Sequence, residues 1–66
     1  MKNKIRIARA EVRMTQQQLA DATGVSRQTI NAIESGKFVP STVLALKIAA
    51  IFGVNVESIF QLEDGD

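Results

Sequence analysis

The chain has no cysteine, histidine, tryptophan or tyrosine, and a single proline among its 66 residues. Without cysteine or histidine there is no zinc site, no thiol nucleophile and no imidazole base. No metal or other cofactor is expected. Disulfides cannot staple the chain, so packing alone must hold it, as suits a reducing compartment. Long hydrophobic runs are also missing. The longest, Ile48–Phe52, is too short to cross a bilayer or to form a signal-peptide core. What is present is the composition of a folded chain, 45% hydrophobic and 23% charged. The length fits one small domain, residues 1–66. A domain of this size buries only about 60% of its unfolded surface, so a second copy would help it.

The net charge of +1 conceals an asymmetry. Residues 1–37 carry Lys2, Lys4, Arg6, Arg9, Arg13, Arg27 and Lys37 against Glu11, Asp21 and Glu34, a balance of +4. Residues 38–66 carry Lys47 against Glu57, Glu63, Asp64 and Asp66, a balance of −3. One reading is ordinary solvated surface. The other is a basic half that meets a polyanion while an acidic half faces away.

Helix signals recur along the whole chain, and glycine falls where helices should stop. Ile5, Ala8 and Val12 predict a first helix from about Asn3 to Arg13. Thr15-Gln16-Gln17-Gln18 is a capping box that opens a second helix, with Leu19 and Ala20 inward. Gly24 follows, and Ser26 caps a third helix that runs to about Ser35 with Ile30 and Ile33 inward. Pro40 holds Val39 extended, so no helix crosses Lys37–Pro40. Ser41 caps a fourth helix with an Ala45, Ile48, Ala49 and Phe52 stripe, ended by Gly53. Asn55 caps a short fifth helix, Val56–Phe60, and the acidic Gln61–Asp66 tail is expected to fray. The expected class is all-α with short connections.

Residues 16–35 read as a helix-turn-helix. Ala20 is small because the next helix crosses close over it, Gly24 permits the tight turn, and Val25 plugs the corner. Ile30 and Ile33 fasten the third helix and leave its other face free. That face reads Arg27, Gln28 and Asn31, with Ala32 beside them. Arginine can bind guanine bidentately, and glutamine or asparagine can do the same for adenine. Ala32 leaves room for a thymine methyl. A merely soluble face would usually carry Lys and Glu at such positions. The pattern suits a recognition helix in the major groove.

The stretch TQQQLADATGVSRQTINAIESGKFVPS, with KIAAIFGVNVESIF after it, resembles the Cro/cI-type repressor family, also called the xenobiotic-response-element family. The likeness covers about residues 3–60, including the Ser26–Ile30 helix start and the Ile59-Phe60-Gln61 tail found in small stand-alone bacterial members. It implies a five-helix, lambda-repressor-like DNA-binding domain. It implies that Arg27, Gln28 and Asn31 read bases. Gln16 would contact a phosphate and buttress Gln28, and Ser26, Ser35 and Lys37, with backbone amides around Phe38, would hold phosphates. It also implies that Met1–Asn3 pairs with the segment after Phe60 as two short antiparallel strands, with Leu62 over the core. The residue pattern alone does not reveal those strands. Two departures stand out. Ala8 replaces the usual leucine and Ile7 is apolar where a charge is common, which implies a first helix rotated or drawn closer to the core. Val43, Ala50 and Ile51 make the fourth helix more apolar than one buried face needs, through either a partner surface or a scarcity of polar area.

Arg9 lies in the apolar stripe of helix 1, and Glu34 lies one turn after Ile30. The two charges are expected to pair, largely buried, and the resemblance points the same way. Val39 and Val56 belong to no inward stripe and are the expected dimer contacts, unless they pack on their own core. The leading expectation is a homodimeric, sequence-specific transcriptional regulator, most simply a repressor, of a prokaryote or phage. Its partners would be double-stranded DNA and a second copy, in the cytoplasm at the nucleoid, with neither membrane nor small-molecule ligand evident. The alternatives are the antitoxin of a toxin–antitoxin pair and a protein–protein adaptor that has kept the fold. An enzyme is not expected, because Glu11, Asp21, Glu34 and Glu57 form no carboxylate pair near a base.

Overall fold

A computed structural model describes all residues, Met1–Asp66. In chain order they form β1 (Lys2–Asn3), α1 (Ile5–Glu11), α2 (Gln16–Thr23), α3 (Arg27–Glu34), α4 (Thr42–Phe52), α5 (Val56–Ile59) and β2 (Phe60–Gln61). The two strands pair antiparallel, Lys2 opposite Gln61 and Asn3 opposite Phe60. The expected five helices are present, and so is the small sheet that only the family resemblance implied.

The helix boundaries follow from local chemistry. Thr15 accepts from the Gln18 amide at 3.0 Å while the Gln18 side chain accepts from the Thr15 amide at 2.9 Å, completing the capping box. Ser26 and Ser41 cap α3 and α4 in the same way, accepting from the Thr29 and Leu44 amides. Asn55 occupies the cap position of α5 but makes no side-chain cap bond. Helix α1 starts two residues later than its apolar pattern suggests, because Asn3 is recruited into β1. Its side chain then works twice. Asn3 Oδ1 accepts from the Ile5 amide at 3.3 Å, and Nδ2 donates to the Ile33 carbonyl at 2.8 Å. One asparagine thus accepts from the first amide of α1 and ties β1 to the end of α3.

Nine residues form the buried core: Ile5, Leu19, Ala20, Ile30, Ile33, Leu44, Ile48, Ile59 and Phe60. Five of them, Ile5, Leu19, Ile30, Ile33 and Ile48, have their side chains fully enclosed. Burying such a side chain contributes about 1.5–3 kcal/mol each. They come from α1, α2, α3 and α4, so one small cluster fixes all four longer helices.

Four expectations need correction. Val12 does not join the core stripe and is 56% exposed. The helix ends at Glu11, so its backbone leaves the helical path before Val12 can turn inward. Ile7 is also exposed, and Ile5 and Ala8 supply the inner face of α1, so the helix is not rotated to bring Ile7 in. The tail does not fray. Pairing with β1 holds Phe60–Gln61, and the Met1 amine lies 3.1 Å from carboxylate oxygens of both Glu63 and Asp66. Leu62 is nevertheless 78% exposed and does not cover the core.

Candidate nucleic-acid interface

Helix α2 hands over to α3 in three residues. Gly24 takes φ +79° and its amide closes α2 on the Ala20 carbonyl. A Cβ at Gly24 would meet no atom within 4 Å, so glycine serves the backbone conformation and not a close approach. Buried Thr23 folds its hydroxyl back to donate to the Leu19 carbonyl at 2.8 Å, which removes a polar group from the helix junction. Val25 packs on the core at the corner.

Ile30 and Ile33 anchor α3 and turn its other face to solvent. Arg27, Gln28 and Asn31 are exposed there and by themselves line a shallow concavity. None of the three side chains forms a hydrogen bond or ion pair within the chain. Their neighbour Ser26 is engaged with both the amide and the hydroxyl of Thr29. Ala32 is half-buried beside them. Neither α2 nor α3 carries an acidic side chain in its first turn, so the positive ends of both helix dipoles stay unneutralised.

At the far end of α3 the charges are fully committed. Arg9 Nε donates to Glu34 Oε2 at 2.6 Å and Nη2 to Oε1 at 3.0 Å, a bidentate pair between α1 and α3. Arg9 Nη1 also donates to the Met14 carbonyl at 2.9 Å. The Glu34 side chain is only 1% exposed and that of Arg9 14%. Burial pushes the Glu34 carboxyl up, but hydrogen bonds from Arg9 and Gln16 and the nearby charges of Arg9 and Arg6 outweigh it. Its pKa lies below the ordinary carboxylate value. The same Glu34 hydrogen bond holds Arg9 still more firmly protonated.

The expected phosphate contacts fare unevenly. Gln16 Nε2 donates to Glu34 Oε1 at 3.2 Å, so in the free chain it braces Glu34 and not Gln28. The Lys37 and Phe38 amides both donate to the Ala32 carbonyl, at 2.9 and 3.2 Å. In the free chain both amides are therefore engaged within the chain. The Ser35 hydroxyl likewise donates to Ala32. The Lys37 ammonium is exposed and unpaired. Val39 is 59% exposed, whereas Val56 is half-buried and packs partly on its own core. Both line one apolar groove together with Pro40, Leu46 and Phe60. Sequence reasoning missed Asn3 and Arg6 near this region. The signal for Asn3 was a polar residue just before an apolar helix start, and it was spent on extending the helix.

The fold and the open face of α3 define a DNA-binding helix-turn-helix transcriptional regulator. A helix-turn-helix family profile matches residues 5–59, and the chain belongs to the Cro/cI-type helix-turn-helix family. It is 56% identical over the full length of both chains to an uncharacterized HTH-type transcriptional regulator of Methanocaldococcus jannaschii. Over 97% of each chain it is 47% identical to the uncharacterized HTH-type transcriptional regulator YgzD of Bacillus subtilis. Among solved structures it is similar to the restriction-modification controller protein C.AhdI of Aeromonas hydrophila. That match has a TM-score of 0.78, with 27% identity over 85% of each chain. No helix of the chain is long and apolar enough to cross a membrane.

Proposed function

We propose that this regulator binds a two-fold symmetric operator as a homodimer, lays α3 in the major groove, and represses transcription from the site it covers. The observation that carries the reading is the face of Arg27, Gln28 and Asn31, three exposed side chains with no partner in the chain. Each can make two parallel hydrogen bonds to a base edge. Arg27 and Gln28 sit on the first turn of α3 and Asn31 on the second, as in a recognition helix that enters the groove by its N-terminal end. Lys37 and the unneutralised ends of α2 and α3 suit the flanking phosphates. A single module reads too few bases to outcompete a genome of other sites, which favours a dimer. The groove that holds Val39 and Val56, with Val43 and Leu46 exposed on α4, supplies apolar area for one.

Selection of bound duplexes from a random pool tests the reading. It should return inverted repeats with half-sites about one helical turn, roughly 34–36 Å, apart. In sedimentation, Val39→Asp should stay folded, halve the mass and bind half-sites without cooperativity. A pool that yields no enriched sequence would end the proposal of sequence-specific reading. A Val39→Asp variant that remains dimeric would move the two-fold axis elsewhere.

A further inference from the structure

Arg6 has no role in the site as described, yet it stands at the edge of that site. Its Nε lies 3.7 Å from Glu34 Oε1, and its side chain is 76% exposed. The same oxygen already accepts from Arg9 Nη2 at 3.0 Å and from Gln16 Nε2 at 3.2 Å, and its twin accepts from Arg9 Nε at 2.6 Å. Glu34 is thus neutralised and hydrogen-bonded before Arg6 is counted. Arg6 is a surplus cation. An ion pair this long and this exposed contributes little to stability, between about 0 and 1 kcal/mol.

We propose that Arg6 is a DNA-backbone contact that shares one phosphate with Gln16, and that the loose contact with Glu34 holds it in place until DNA arrives. This rests on the proposed reading of DNA by α3. Gln16 and Arg6 both reach Glu34 Oε1, so their nitrogens are separated by no more than the 3.2 Å and 3.7 Å legs laid end to end. A phosphate spans that gap, because its oxygens accept charge-assisted hydrogen bonds of about 2.8 Å on different sides. Swinging Arg6 from carboxylate to phosphate leaves Glu34 with Arg9, so no charge is stranded. The net local charge of Arg6, Arg9 and Glu34 is positive, which attracts the backbone. Arginine suits the role because its planar fork of donors matches the oxygens of a phosphate.

The test is the salt dependence of binding to a random-sequence duplex about two turns long, which reads backbone contacts without base readout. Arg6→Gln should lower the slope of log affinity against log salt by about 0.9. Its deficit relative to the unchanged protein should then shrink about threefold between 50 and 200 mM salt. Arg6→Lys should restore most of the slope. Lys47→Gln, on α4, should leave the slope unchanged. Thermal melting of Arg6→Gln should match the unchanged protein. An unaltered slope in Arg6→Gln would overturn the proposal. So would a melting loss comparable to that of Arg9→Met, since Arg6 would then be a structural partner of Glu34. An Arg6→Gln variant that does not fold would overturn it for the same reason. If the unchanged protein itself shows no salt-dependent binding, the DNA reading fails, and that outcome is distinct from a failure at Arg6 alone.

Discussion

Two clusters at the two ends of α3 are built from the same chemistry and use it in opposite ways. Arg9, Gln16 and Glu34 join a guanidinium and a carboxamide to a carboxylate, and every strong donor among them has an acceptor. Arg27, Gln28 and Asn31 offer a guanidinium and two carboxamides with no acceptor in the chain at all. The difference is burial. Around Glu34, where water is excluded, an unmet charge is costly, so the groups had to find one another. On the open face, water satisfies the groups until something better replaces it. Satisfied polar groups fix a fold; unsatisfied, exposed ones of bidentate shape are free to choose a partner. The glutamate cluster lies just beyond Asn31 at the last residue of α3, so it holds the helix at its C-terminal end and leaves the first two turns accessible.

The largest effect should come from breaking the satisfied cluster. Arg9→Met strands the nearly buried Glu34 carboxylate and should cost about 3–5 kcal/mol in urea unfolding. Arg27→Met, the same change on the open face, should stay within about 0.5 kcal/mol of the unchanged protein. Equal losses at the two sites would erase the distinction. The pH dependence sharpens it. Glu34 titrates lower in the folded chain than in the unfolded one, so its contribution is fully present above the ordinary glutamate value of about 4.3. It is lost as pH falls through the depressed folded value. Glu34→Gln should therefore be destabilised at neutral pH, with the gap to the unchanged protein closing only below about pH 4. A gap that closes near neutrality would place the titrating group elsewhere.

On the open face the same kind of deletion should appear in binding and not in folding. Gln28→Ala and Asn31→Ala should each weaken operator binding by about 1–3 kcal/mol and relax the preference at particular base pairs. Unfolding midpoints should not move. Lys37→Ala should weaken all sequences alike, by about 1 kcal/mol at 0.1 M salt, and lower the salt slope by about one. If Gln28→Ala weakened all duplexes equally and Lys37→Ala changed the preferred bases, reading and holding would have to be exchanged.

Much of this was legible from the sequence because it is local. The capping box at Thr15, the caps at Ser26 and Ser41 and the left-handed turns at Gly24 and Gly53 each depend on residues within one turn of each other. The inward positions Leu19, Ala20, Ile30, Ile33 and Ile48 follow from period alone. The Arg9–Glu34 pair spans 25 positions, but two charges in apolar stripes announce that they need each other. What stayed hidden is what only the assembled fold decides. A two-residue strand has no period, so β1 and β2 were visible through family likeness and not through pattern. Whether Phe38 has a free amide depends on how the chain leaves α3. Whether Val56 faces outward or onto its own core depends on the angle at which α5 docks.

The smallest effect concerns how α1 ends. Its last turn closes as a Schellman motif, with the Arg13 amide on the Ala10 carbonyl and the Met14 amide on that of Arg9. The residue that must turn left-handed is Arg13, at φ +56°, whereas α2 and α4 use Gly24 and Gly53 at the corresponding bend. A side chain in that conformation costs about 1–2 kcal/mol. Glycine would remove the strain but add about 0.4–1 kcal/mol of freedom to the unfolded chain. Arg13→Gly should therefore gain about 0.5 kcal/mol, a rise of 2–4 °C in melting temperature for a domain this size. Gly24→Ala should lose about 1 kcal/mol although its Cβ meets nothing, since the cost is conformational. A stabilised Arg13→Gly that binds DNA less tightly would mean that the arginine is kept for the polyanion and not for the turn. A destabilised one would mean that the Arg13 side chain holds the fold through a contact worth more than the strain.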